Sequence, residues 1–187
     1  RLLWVSKADR TEKTMENNNF KPYIPAEKVT PEITVTSIVI GMLLSVIFGA
    51  ANAYLGLRVG MTVSASIPAA VIAMGVIRVI MKKNSILESN IVQTIGSAGE
   101  SVAAGAIFTL PALFLWASES PDSFAKPGIL EITLIALIGG LLGVFFMIPL
   151  RNALIVKEHG VLPYPEGTAC AEVLLAGEEG GANAGTV

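Results

Sequence analysis

Charge is what this sequence has least of. Asp, Glu, Lys and Arg make up 15% of the 187 residues against 52% hydrophobic, and the mean hydropathy is +0.65. Soluble domains average about 25% charged residues, so an ordinary soluble domain is excluded. Cysteine is nearly absent too. The lone Cys170 excludes an intrachain disulfide and any CxxC metal motif. The single histidine, His159, has no second His and no paired Cys, so neither a metal site nor a cofactor is expected. The net charge is −2, and no basic patch is interleaved with aromatics, which argues against nucleic acid as a partner.

The few charges crowd into residues 1–32, 78–90, 119–131 and 151–179, and long apolar runs lie between them. Ile33–Ala53, Val59–Ile77 and Ile132–Leu150 carry no charge, and Ile91–Ala117 carries Glu100 alone. A helix rises about 1.5 Å per residue, so roughly 20 residues cross a hydrocarbon core of about 30 Å. None of the runs has the period-two alternation of barrel strands. The expected fold is therefore an all-α integral membrane protein, a polytopic transmembrane helix bundle. Four spans are expected over about 33–55, 59–81, 91–117 and 130–150, followed by the start of a fifth helix. Residues 1–32 form a polar N-terminus, of which 1–14 read as an upstream artefact. Residues 151–187 read as a truncated cytoplasmic or interfacial segment, and the chain as a fragment.

With the N-terminus in the cytoplasm, eleven of the thirteen Lys and Arg residues fall inside; Arg58 and Lys126 fall outside. The positive-inside rule favours that orientation, in the cell membrane and with lipid as the surroundings. The connection "YLGLRVG", Tyr54 to Gly60, is short and apolar. It reads either as a tight covered turn at Gly56 and Gly60 or as a break at membrane depth, with Arg58 snorkelling or pairing with an acid.

Glu100 is the exception inside the third run. Gln93, Gly96, Ser97, Ala103 and Ala104 share its helical face, a polar and small-residue stripe. A carboxylate near mid-span is costly and is expected to face the bundle interior, where it can take and lose a proton. The competing reading is a structural glutamate at a helix start near Gly99. Pro68, Pro111 and Pro149 are expected to kink or break helices, with Thr62, Ser64 and Ser66 bonding to carbonyls freed near Pro68. In "HGVLPYPEGTACAEVL", Pro163, Pro165 and Gly167 bracket Tyr164 and Glu166 in a broken helix entry suited to a substrate funnel; a cytoplasmic turn and interfacial helix explain the spacing as well.

Three stretches carry a family resemblance. "PYIPAEKVTPEITVTSIVIGMLLSVIFGAANAYLGLRVGMTVSASIPAAVIA" resembles the first two spans of the oligopeptide transporter (OPT) family, in the prokaryotic branch close to the yellow stripe-like metal-chelate carriers. "SNIVQTIGSAGESVAAGAIFTLPAL" resembles its third-span region, and "HGVLPYPEGTACAEVL" its Leu-Pro-Tyr-Pro-x-Gly stretch. The resemblance implies a proton-coupled secondary transporter, not an enzyme, importing short peptides or peptide-like metal chelates. It also implies further spans beyond this chain. Glu100 is the expected proton-coupling residue. Asn52, Tyr54, Arg58, Gln93, Tyr164 and Glu166 are the expected substrate contacts, and Gly56, Gly60, Pro68, Gly96, Gly99, Pro163, Pro165 and Gly167 the expected breaks and hinges. A channel-like pore and a structural subunit of a membrane assembly stay open as alternatives.

Overall fold

The computed structural model describes residues 23–25, 27–82, 85–121 and 125–179, and all regular structure among them is helical. The expectations for residues 1–22 and for the glycine-rich stretch after residue 179 lie outside the described residues. Two compact units are present. One holds residues 30–140 and 165–179, and the other holds residues 141–164 with the described residues up to 29.

Helix α1, Val35–Val59, starts at a capping box. Thr34 Oγ1 accepts from Ser37 N at 3.1 Å, and Ser37 Oγ accepts from Thr34 N at 3.0 Å. It stops at Gly60, whose φ of 74° lies in the left-handed region and whose N–H closes onto Gly56 O. Helix α2, Ser66–Gly75, runs on into a π-helical turn, Val76–Ile80. Helix α3, Ile86–Glu119, has 34 residues and is therefore roughly 50 Å long. Ser85 caps it by accepting from Glu88 N. Helix α4, Ile129–Arg151, continues in π register over Asn152–Lys157; Pro149 removes an amide donor just before the register widens. Helix α5, Pro165–Glu179, begins on a proline, which the first helical position tolerates.

Among the described residues, three helical stretches are long and apolar enough to cross a membrane: Val35–Val59, Ile86–Glu119 and Ile129–Lys157. This corrects the expected count of four. The second apolar run opens on Val59, the last residue of α1, and passes through Gly60 and a non-helical stretch over residues 61–65, so α2 and its π turn contain 10 and 5 residues. That is about 22 Å of helix, short of a 30 Å core. Pro68 is not a mid-span kink. It is the third residue of α2, within the first turn, where its missing N–H costs no intrahelical bond.

In the larger unit, α1 and α3 run parallel and nearly touch. A Cβ at Gly41 would meet Ile95 at 2.8 Å, one at Gly49 would meet Gly99 O at 3.1 Å, and one at Gly56 would meet Ile107 at 2.6 Å. The partner numbers rise together along the two helices, which fixes the direction. At Gly99 there is no room at all, because an added Cβ would collide with the carbonyl and hydroxyl oxygens of Ser45. Gly56, Gly96 and Gly99 therefore sit inside unbroken helices, and what they provide is close approach. The alanine face of α2 (Ala69, Ala70 and Ala73) is fully buried, and Leu44, Ala73, Ile77 and Val92 join α1, α2 and α3 in one cluster. Ala70 packs against Val173 and Leu174 of α5 in a second cluster. The α2 and α5 axes run in the same direction: Ser64 meets Glu166 at their starts, and Arg78 donates to the Gly177 and Glu178 carbonyls at their ends.

The Gly99 contact sets the first expected outcome. In the full-length protein in detergent, Gly99→Ala should lower unfolding stability by about 1–3 kcal/mol through overpacking. Gly75→Ala, where a Cβ meets nothing within 4 Å, should be neutral or slightly stabilising. Thermal or denaturant unfolding curves of the two variants make the comparison.

Candidate functional site

The non-helical segment between α1 and α2 carries backbone donors that no helix satisfies, and in a membrane protein such donors need fixed partners. Asn52, on α1 and 3% exposed, supplies one: its Oδ1 accepts from Val63 N at 3.0 Å. The other end of the same amide, Nδ2, reaches Glu100 O on α3 at 3.4 Å. Glu100 itself turns its side chain to the segment, and Oε2 accepts from Ala65 N at 2.7 Å. Ala65 is the N-cap position of α2 and no side chain of its own caps it. The Glu100 carboxylate thus does for α2, from another helix, what the acid of a capping box does: it accepts from the N-cap N–H. Its charge also lies where the α2 dipole is positive. The expectation that Glu100 might stand at the start of its own helix near Gly99 is corrected, since α3 starts at Ile86. The helix start it serves is that of α2.

A second carboxylate reaches the same place. Ser64 Oγ donates to Glu166 Oε1 in a short contact, and Ser64 Oγ and Ser66 Oγ lie 3.3 Å apart. Ser64 was expected to satisfy a freed carbonyl near Pro68; it binds the Glu166 carboxylate instead. These hydroxyls hold the exposed Glu166 carboxyl below the usual carboxylate range, Ser64 contributing most and Ser66 next. Further along, buried Gln93 directs Nε2 to the sulfur of Cys170 on α5 at 3.9 Å. Burial pushes the Cys170 thiol up, and the charge of Glu166 adds to the effect.

Asn52, Gln93, Gly96, Glu100 and Glu166 therefore gather around the start of α2 and the faces of α3 and α5. Gly96 allows the approach, its would-be Cβ lying 3.3 Å from Leu44 and 3.5 Å from Ala69. Tyr54 and Arg58 are not drawn in; both are exposed on the last two turns of α1 and make no bond to this group. Tyr164 belongs to the other unit, where its hydroxyl donates to Leu154 O at 2.9 Å. Gly60 is a true helix stop. Pro163 lies in the turn before α5, and Pro165 and Gly167 lie in the first turn of that helix.

Two features, one in the site and one outside it, were missed by sequence reasoning. The Ala65 N–H leaves no mark in the sequence, because a backbone donor acquires meaning only when α2 is seen to start there. Glu88 is fully buried on α3, and neither of its carboxylate oxygens makes a hydrogen bond. Its signal was legible as the Ser85-x-x-Glu88 spacing of a capping box, of which only the serine half forms.

A family model described as "OPT oligopeptide transporter protein" matches residues 32–185. A "Putative oligopeptide transporter" of Haemophilus influenzae is 45% identical over 71% of this chain and 19% of its own length. Two Arabidopsis thaliana proteins, "Metal-nicotianamine transporter YSL1" and "Metal-nicotianamine transporter YSL3", are 27% and 29% identical over 89% and 90% of this chain. Each of the two is covered over 27% of its own length. The chain thus spans about a fifth to a quarter of the length of these relatives. No solved structure matches at a significant level.

Two outcomes follow from this geometry. Asn52→Ala should destabilise the full-length protein by about 1–3 kcal/mol, because Val63 N and Glu100 O each lose the partner that Asn52 supplies; Asn52→Asp, which keeps the acceptor for Val63 N but sets a carboxylate oxygen against Glu100 O, should cost at least as much. Unfolding curves compare the two. The Ser64–Glu166 contact should be present in full above the ordinary carboxylate range and be lost as pH falls through the lowered native value of Glu166. Ser64→Ala should raise the Glu166 titration midpoint, read by isotope-edited infrared spectroscopy of the carboxylate.

Proposed function

The chain belongs to the OPT oligopeptide transporter family, and from that premise we propose that the full-length protein is a proton-coupled secondary transporter importing short peptides or peptide-like metal chelates. It works by alternating access in the cell membrane, with the N-terminus cytoplasmic. The observation that carries the reading is the bond between the Glu100 carboxylate on α3 and Ala65 N at the start of α2.

The mechanism follows from what a proton does to that bond. An ionised carboxylate holding an amide N–H is worth about 1.5–3 kcal/mol, and a neutral acceptor about 0.5–1.5 kcal/mol. Protonation of Glu100 therefore loosens the start of α2. Because Ser64 ties that start to Glu166, α5 moves with it. The α2 break then becomes a joint whose stiffness depends on whether a proton is bound. Discontinuous helices are where many transporters hold substrate and ion. The amide groups of Asn52 and Gln93 and the carboxylate of Glu166 are assigned to the polar backbone of a peptide or chelate. Arg58 is assigned to a substrate carboxylate or to an acid supplied by the rest of the polypeptide. Gly60, Pro163 and Pro165 border the segments that would flex.

A purely structural role for Glu100, as a cap on α2 alone, is the rival reading, and the same bond is compatible with it. Glu100→Gln separates the two. Glutamine keeps a carbonyl oxygen for Ala65 N but cannot carry the proton. In proteoliposomes of the full-length protein, Glu100→Gln should abolish uptake driven by an imposed pH gradient while leaving gradient-free substrate exchange intact. Unchanged gradient-driven uptake would leave Glu100 as a cap alone. Uptake that does not saturate and ignores the gradient would make the protein a pore.

A further inference from the structure

Helices α2 and α5 are fastened to each other at three levels. At their starts Ser64 Oγ donates to Glu166 Oε1. Midway, Ala70 packs on Val173 and Leu174. At the far end α5 comes so close that a Cβ added at Gly177 would collide with Met74 Sδ. There Arg78 also donates to the Gly177 carbonyl and, at 3.2 Å, to the Glu178 carbonyl. A guanidinium spanning two successive carbonyls fixes orientation as well as distance, because its donors form a rigid fork. Arg78 lies inside the π turn, Val76–Ile80, which Met81 N closes on Val76 O at 3.1 Å. Such turns are rare and concentrate at functional sites.

Helices α1 and α3 form a second pair, held by the close approach at Gly41, Gly49, Gly56 and Gly99. Contact between the two pairs has another character. A Cβ at Gly96 would lie 3.5 Å from Ala69, and Ala73 and Ile77 cluster with Leu44 and Val92. These are apolar contacts without direction, and packed helices slide along such faces. The strong polar ties from the α1–α3 pair go to the break itself, from Asn52 to Val63 N and from Glu100 to Ala65 N. Gln93 also crosses to Cys170 at 3.9 Å, but a thiol sulfur is a weak acceptor.

We propose that α2 and α5 travel as one body against the α1–α3 pair, hinged at residues 61–65, and that Arg78 is the positioning residue that latches α5 to α2 at the end remote from Glu100. The proposal deepens the alternating-access reading and rests on it. Loosening at Ala65 frees one end of α2 only. Without a latch at the other end, α5 would splay from α2 and the displacement would be lost between them. With Arg78 in place, a shift at the joint is carried along the full length of both helices.

The test uses the full-length protein in proteoliposomes, in a cysteine-free background, with pairs of nitroxide spin labels on exposed positions and distances read by pulsed electron paramagnetic resonance. Val71→Cys with Ala171→Cys spans the α2–α5 pair, Val46→Cys with Val102→Cys spans the α1–α3 pair, and Val46→Cys with Val71→Cys spans the divide. Acidification, or addition of the probe peptide trialanine, should shift the Val46–Val71 distance by a few ångström and leave the other two unchanged. A matching shift across Val71–Ala171, or a Val46–Val71 distance fixed under both treatments, would overturn the proposal. Arg78→Gln should broaden the Val71–Ala171 distribution, and Arg78→Lys, which keeps a charged donor, should broaden it less. An unchanged distribution in Arg78→Gln would remove Arg78 as the latch. Proton coupling is judged separately: unaltered gradient-driven uptake in Glu100→Gln would take the proton out of the mechanism, while the probe peptide would still read the pair.

Discussion

A single backbone amide, Ala65 N–H, sits where three helices need something from one another. Gly60 has ended α1 and Ser66 begins α2, and the segment between them cannot bond to water if it lies within a bilayer. Its donors must be met by side chains fixed on neighbouring helices. Glu100 and Asn52 meet two of them, at 2.7 Å and 3.0 Å. Without such partners the economical solution would be to run α2 back to Gly60 as one continuous span. The break therefore exists because a carboxylate and an amide are placed to receive it.

Placing them depends on backbone proximity. Asn52 reaches Glu100 O only because α1 and α3 lie close enough that a Cβ at Gly49 would press on the carbonyl of Gly99. Gly99 immediately precedes Glu100, and Gly56 lies one turn beyond Asn52. The tightest helix contact and the polar pair thus occupy the same level of the bundle. A larger residue at any of these glycines would push α3 outward and carry the carboxylate away from Ala65. Packing and site are one arrangement, and the precision of the site comes from glycine having no side chain.

Much of this was legible in the sequence. The spans containing Ile33–Ala53, Ile91–Ala117 and Ile132–Leu150 stand out by length and lack of charge, and the lone acid at position 100 marks itself. The second run misled because hydropathy measures composition and not continuity: "VGMTVSASIPAAVIAMGVI" is apolar enough to span, yet its first residues are not helical. Gly60 and Pro68 were flagged in the right neighbourhood. Hydropathy could not say that they bound the stop of one helix and the first turn of the next. Gly56 and Gly99 were read as places to bend because glycine permits bending, and Gly96 both as a hinge and as part of a small-residue stripe. Their actual use, close contact, depends on which helix lies opposite, and that is tertiary information.

Two carboxylates on α3 show why position at a break matters more than burial. Glu88 is fully buried, and neither oxygen has a hydrogen-bond partner. Glu100 is only half-buried, yet it holds an amide. A change of charge at Glu88 alters the free energy of one buried group and no bond that spans two helices. A change of charge at Glu100 alters a bond between α3 and the first residues of α2, and through Ser64 it reaches Glu166 and α5. Chemistry becomes motion only where the group that changes state also joins parts that can move apart. The proposed mechanism makes the α2 break such a joint, with Glu100 as its ionisable group.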